Sequence, residues 1–151
     1  MSVKSALLIF AVPAFALAAC TSQPEDPVSD VHVRLPAVSG RPGAAYFTLN
    51  GGEKGRSLAS VSTPSADRAE MHDMTMSAGM MTMAPINGPI NVPANATLRF
   101  KPEGKHLMLM GMKPGLKAGD AIPLRFTFAN GETVTVSAKA EATGGTSVQD
   151  H

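Results

Sequence analysis

The chain has 151 residues, enough for one domain built on a single core. Thirteen Lys and Arg against twelve Asp and Glu give a formal net charge of +1, and the basic residues are scattered, so no electrostatic footprint for nucleic acid is present. A single cysteine excludes an intrachain disulfide, a thiolate zinc site and a dithiol redox couple.

In chain order, residues 1–19 read as a signal peptide. Lys4 supplies a short positive start, residues 6–17 form an apolar run broken by Pro13, and the small residues Ala18 and Ala19 precede Cys20. The run is shorter than the roughly 20 residues a mature spanning helix needs. Leu17-Ala18-Ala19-Cys20 resembles a bacterial lipobox, whose cysteine is acylated and becomes the new N-terminus. The resemblance implies a lipid anchor on Cys20 and residence in the cell envelope. Acylation would also remove a lone thiol that is a liability in an oxidising compartment. Residues 20–30, polar and carrying Pro24 and Pro27, read as a flexible tether. Residues 142–151, with Gly144-Gly145, read as a frayed tail. The folded domain is expected over residues 31–141.

Short strands and turns fill that domain. Residues 44–49 and 58–62 read as strands separated by Asn50-Gly51-Gly52, and Leu98 and Phe100 alternate with polar neighbours in a third. Leu124, Phe126 and Phe128 alternate with Arg125 and Thr127, and Asn130-Gly131 follows as a tight turn. Val134, Val136 and Ala138 then alternate with Thr133, Thr135 and Ser137, which completes a β-hairpin. No segment of helical length carries a 3.6-residue apolar period. The pattern predicts an all-β domain, an antiparallel sandwich or barrel.

The methionines are segregated. Of ten, Met1 is the initiator, and Met71, Met74, Met76, Met80, Met81, Met83, Met108, Met110 and Met112 fall within 42 residues, together with His72 and His106. Strand periodicity puts His106, Met108 and Met110 on one face and Leu107 and Leu109 on the other. It likewise groups His72, Met74 and Met76, and pairs Met81 with Met83. Two segments therefore each present an imidazole and thioethers on one face. Thioether sulfur is soft and uncharged and takes Cu(I) well, while imidazole suits copper, zinc, iron and nickel; together they point to copper. Neutral ligands leave the complex with the ion's own positive charge, which favours an exposed site. Taken singly, each methionine is better read as flexible core packing; the constellation as a whole reads the other way. Asp73 beside His72 belongs to the opposite strand face.

These residues resemble the periplasmic copper chaperones of the PCuAC type, whose signature is His, ten residues, Met, about twenty-one residues, then His-x-Met. Here His72 and Met83 enclose ten residues, and twenty-two separate Met83 from His106-Leu107-Met108. The extra residue fits the Gly-, Pro- and Asn-rich stretch 87–95. The resemblance, over roughly Tyr46 to Val136, implies a cupredoxin-like Greek-key β-sandwich binding one Cu(I) through His72, Met83, His106 and Met108. It further implies delivery to the copper centre of cytochrome oxidase, with an oxidase subunit or a Sco-type assembly factor as acceptor. Met74, Met76, Met81 and Met110 form a secondary set that could receive copper or pass it on by ligand exchange; hydrophobic cover of the site is their bland alternative. A copper buffering or resistance protein would use the same ligands without a dedicated acceptor. A blue-copper electron carrier is excluded because it needs a cysteine thiolate. No Ser-His-Asp order or paired-carboxylate arrangement suggests an enzyme.

Overall fold

The computed structural model describes residues 26–144. Residues 1–25, with the expected signal peptide, Cys20 and most of the tether, and residues 145–151, with His151, lie outside it.

Ten strands follow one another: β1 (Val28–Arg34), β2 (Gly43–Asn50), β3 (Arg56–Ser62), β4 (Ala66–Ser77), β5 (Met80–Pro85), β6 (Ile90–Val92), β7 (Thr97–Phe100), β8 (His106–Met112), β9 (Ala121–Phe128) and β10 (Thr133–Glu141). No helix occurs among the described residues. The strands form one continuous sheet in the order β5-β4-β8-β2-β1-β10-β9-β3-β6, with β7 paired to the far end of β2. The sheet folds over on itself. Phe47 of β2 meets Phe126 of β9 edge-on at 4.9 Å between ring centroids, although three strand boundaries separate them along the sheet. Phe100 of β7 stacks on Phe47 at 4.2 Å. These three rings centre a core completed by Leu49, Leu58, Leu107, Leu109, Ile122 and Leu124. The fold is the all-β, cupredoxin-like sandwich that the sequence implied.

The alternation in the sequence becomes inside and outside. In β8, Leu107 and Leu109 are fully buried while His106, Met108 and Met110 stay part-exposed. The hairpin read around Asn130-Gly131 is β9–β10, with Thr133 opposite Thr127 and Gly131 at φ 87°. The Asn50-Gly51-Gly52 break lies between β2 and β3.

Two expectations are corrected. The sandwich is not wholly antiparallel, because β1 and β10 pair in parallel with His32 opposite Lys139 and Arg34 opposite Glu141. No hairpin joins these first and last strands, so no turn geometry forces them to run in opposite directions. A side-chain contact crosses the seam, from His32 Nδ1 to Glu141 Oε1 at 3.2 Å. Strand β1 also begins at Val28, within the stretch assigned to the tether. Its polar residues are held in place: Thr48 donates to Asp30 Oδ2 at 3.1 Å, and Asn50 donates to Ser29 Oγ and to the Asp26 carbonyl.

Strand β4 is twelve residues long and outruns its neighbour. Residues 66–72 pair with β8, whereas 73–77 pair with β5 alone. Beyond Ala84 the two strands form a ribbon closed by the two-residue turn Ala78-Gly79, both at positive φ (50° and 79°). That is the turn geometry whose twist suits a hairpin, and Gly79 meets it without a steric cost. Ala78 does not.

Removing the central ring, Phe47→Ala, is expected to cost about 3–5 kcal/mol in equilibrium denaturation. Ala78→Asn, which tolerates the left-handed backbone better, should stabilise the ribbon by about 1 kcal/mol. Slower amide exchange at Met76 and Met81, with global stability little changed, is the expected signature.

Candidate metal centre

The β4–β8 register sets His72 directly opposite His106, Glu70 opposite Met108 and Arg68 opposite Met110. The β4–β5 register sets Met74 opposite Met83 and Met76 opposite Met81. Cross-strand partners share a face. Even-numbered positions from Arg68 to Met76 in β4 and from His106 to Met110 in β8, with odd-numbered positions of β5, therefore make one continuous outer surface, turned away from Leu107 and Leu109. Both histidines and six of the nine clustered methionines lie on that surface, while Met80 is on the opposite face of the ribbon and the other two serve elsewhere. Met71 packs against the core from the opposite face of β4, as does Met112 from the end of β8.

At the centre, the His72 and His106 rings lie 6.0 Å apart, tilted by 30°. His106 Nδ1 hydrogen-bonds to the Gly104 carbonyl at 2.8 Å. A carbonyl only accepts, so Nδ1 carries the proton and Nε2 presents a lone pair. That Nε2 faces Met83 Sδ at 3.3 Å. Two lone-pair atoms thus meet with no proton between them, an arrangement that a soft cation satisfies and that a hydrogen bond does not.

His72 is held in a complementary way. Its Nε2 lies 3.3 Å from Glu70 Oε2, and its ring is only 12% exposed. With Nε2–H donating to the carboxylate, the bare nitrogen is Nδ1, which is buried and has no hydrogen-bond partner. Leaving a buried acceptor unpaired costs about 1–3 kcal/mol, so this atom is a vacancy in the protein's hydrogen bonding where a ligand atom is expected. A carboxylate behind a ligating imidazole fixes its orientation and raises its basicity. Glu70 is in turn approached by Arg68 Nε at 3.6 Å.

Met108 follows His106 by two residues on the same face, between Ala44 of β2 and Glu70 of β4. The small Ala44 side chain leaves its flank open. Met83 is 47% exposed. Asp73 belongs to the other face, as the strand period requires, and is paired there with Lys105 at 2.6 Å. Among the described residues no three His, Cys, Asp or Glu side chains converge on a metal position. The side chains that the strand registers bring together are imidazoles and thioethers, which as donors would suit a soft ion better than calcium, magnesium or a structural zinc.

Of the secondary methionines, Met74, Met76 and Met81 continue along the ribbon from Met83. Met110 does not join them; it lies past Met108, opposite Arg68. His32 is on β1, remote in the sheet order from β4 and β5. Glu70 was not singled out as a site residue from the sequence. The available signal was its place two residues before His72, which in a strand means the same face.

These contacts fix the tautomers. Nitrogen-15 NMR of the neutral imidazoles should show His106 protonated at Nδ1 and His72 at Nε2, and Glu70→Gln should leave the first assignment unchanged while broadening or mixing the second.

A family profile described as "Putative lipoprotein LpqE-like" matches residues 27–140. Among curated proteins, "Putative lipoprotein Lxx21020" of Leifsonia xyli subsp. xyli is 31% identical over 101 residues, which is 67% of this chain and 61% of that protein. "Uncharacterized protein RP573" of Rickettsia prowazekii is 31% identical over 97 residues, 64% of this chain and 54% of that protein. The chain thus matches little more than half the length of these two relatives. Among solved structures, DR1885 from Deinococcus radiodurans in its Cu(I) form superposes with a TM-score of 0.63 at 31% identity, over 83% of this chain and 85% of that one. The copper-bound PCuAC domain from PmoF2 shares the fold at 18% identity, with a TM-score of 0.61 over 76% of this chain and 91% of the domain.

Proposed function

We propose, for a chain that belongs to the LpqE-like family and has the fold of PCuAC domains, that it binds one Cu(I) ion through His72, Met83, His106 and Met108 and hands it to an acceptor in the cell envelope. The observation that carries this reading is the contact between His106 Nε2 and Met83 Sδ, 3.3 Å apart and without a proton to share in the neutral imidazole, with the His72 ring 6.0 Å from that of His106 and its Nδ1 buried and unpartnered. A relative of known structure, DR1885, is a Cu(I) protein at 31% identity, which supports the same cargo here.

The chemistry follows from the donor set. Two imidazole nitrogens and two thioether sulfurs give Cu(I) four soft or borderline ligands and offer Cu(II) a poorer site. All four are neutral, so the bound ion keeps its positive charge. Glu70, in contact with His72, supplies a nearby negative charge that offsets part of the cost of holding that ion against protein. Capture and release need different things. The half-buried His72 and the buried Leu107 and Leu109 hold the β8 side of the site rigid. Met83, on the exposed ribbon, is the ligand that can swing away and let an acceptor's donor atom in. Transfer is then a stepwise exchange of ligands with no change of oxidation state.

A site open to solvent on one face of a small sandwich is the arrangement a carrier needs; with four ligands in place no coordination position remains for a substrate, which argues for a carrier over an enzyme. The acceptor in this reading is the copper centre of cytochrome oxidase, reached directly or through a Sco-type partner, in line with the motif resemblance. The family and relative names, both of lipoproteins, support attachment through Cys20 to a membrane facing the periplasm.

Anaerobic competition against a chromophoric Cu(I) chelator should show one tight equivalent, lost in His106→Ala and in Met83→Leu. Glu70→Gln, which leaves all four ligands in place, should weaken it by about 10–100-fold. Tight binding that survives both ligand substitutions would overturn the reading.

A further inference from the structure

The ribbon does not stop at Met83. One step outward from the Met74–Met83 pair, Met76 and Met81 form a second cross-strand pair on the same face, and Ser77 opposite Met80 closes the turn. The two faces of the ribbon differ sharply. One carries Met74, Met76, Met81 and Met83. The other carries Asp73, Thr75, Ser77, Met80, Thr82 and Ala84, with Thr75 donating to the Thr82 carbonyl. Four of the ribbon's five sulfurs are on the face that the two histidines share, and the fifth, Met80, lies beside the turn on the other.

Packing does not account for this. Met76 is 67% exposed and Met81 48%, and neither belongs to the core or packs against it. Val38 apart, the exposed large hydrophobic residues of the described chain are all methionines of this ribbon. An exposed strand face has no need of an unbranched sulfur side chain; Thr, Val or Ile suits the pleat better. What the ladder does supply is geometry. Directly opposed Cβ atoms lie about 4.5–5.5 Å apart, and successive positions on one face of a strand are separated by about 6.8 Å. The three rotatable bonds of methionine span these gaps, so three sulfurs of the two rungs can converge on one ion.

We propose that Met74, Met76 and Met81 form a second, sulfur-only Cu(I) station at the tip of the β4–β5 ribbon. It rests on the copper reading of the histidine site and adds a binding position to it. Three thioethers satisfy Cu(I) and no harder ion. The station lacks both an imidazole and a carboxylate on its face, so it binds more weakly than the histidine site and exchanges faster. Met74, paired across the ribbon with Met83, belongs to the rung between the two positions. An ion moves inward by trading one thioether at a time, keeping its oxidation state, until His72 and His106 replace the outer sulfurs.

The test uses the full chain, anaerobic Cu(I), and methionine labelled with carbon-13 at the methyl group. A first equivalent should move the Met83 and Met108 methyl signals, and a second, weaker one should move those of Met76 and Met81. The double substitution Met76→Leu with Met81→Leu alters only exposed side chains of similar size; it should abolish the second equivalent and leave the affinity for the first unchanged. His106→Ala should lose the tight equivalent and keep the Met76 and Met81 shifts. One equivalent only in the unmodified chain, or a second that survives the leucine pair, overturns the outer station while the histidine site stands. Loss of both equivalents in the leucine variant also overturns it, because those sulfurs would then belong to the first site. Absence of any tight equivalent in the unmodified chain overturns the underlying copper reading instead.

Discussion

The burial of Leu107 and Leu109 is the constraint on which the site depends. Both are completely enclosed, and because side chains alternate along a strand they leave His106, Met108 and Met110 no choice of face. The same burial fixes the register of β8 against β4, since a slip by one residue would put a histidine and two methionines into the core and two leucines into water. From that register follow His72 opposite His106 and Glu70 opposite Met108. The hydrophobic effect thus places the proposed ligands, although none of them would be hydrophobic in that role.

Rigidity and mobility are divided along a single strand. The first half of β4 is paired to β8, which is itself anchored in the sheet, with Ala66 buried and Ala69 and Met71 packed on the core. Its second half is supported by β5 alone. Two-stranded ribbons are marginal by themselves, and this one has its polar face bonded only through Thr75 and the Asp73–Lys105 pair. His72 sits at the boundary. The proposed ligand set, drawn from both sides of it, would join a preorganised half with a less supported one, which suits an ion that has to be held and then given up.

Much of this was legible in the sequence because it is local. The β9–β10 hairpin needs only alternation and an Asn-Gly turn, and the sorting of His106, Met108 and Met110 from Leu107 and Leu109 needs only the strand period. The soft character of the donors follows from residue type. What was not legible is what depends on partners distant in the chain. The parallel seam of β1 and β10 joins residues more than a hundred positions apart, and no local pattern encodes it. Strand β1 carries Ser29 and Asp30, whose polarity suggested a tether until Thr48 and Asn50 were seen to satisfy them. Glu70 looked like any solvated carboxylate, and only the folded strand shows it in contact with His72 and opposite Met108.

The two-residue turn at Ala78-Gly79 also sets rules for how such a chain can change length. Between His72 and Met83 every residue outside the Ala78-Gly79 turn is part of a rung of the ribbon, so a single insertion within either strand reverses the faces beyond it and carries a sulfur to the wrong side. Insertions there are tolerated in pairs, one on each strand, and each such pair lengthens the ribbon by a rung. Between Pro85 and His106 the path runs through β6, β7 and their loops, where a lone added residue is absorbed without moving either end. Length change compatible with this geometry is therefore quantised in the first interval and continuous in the second.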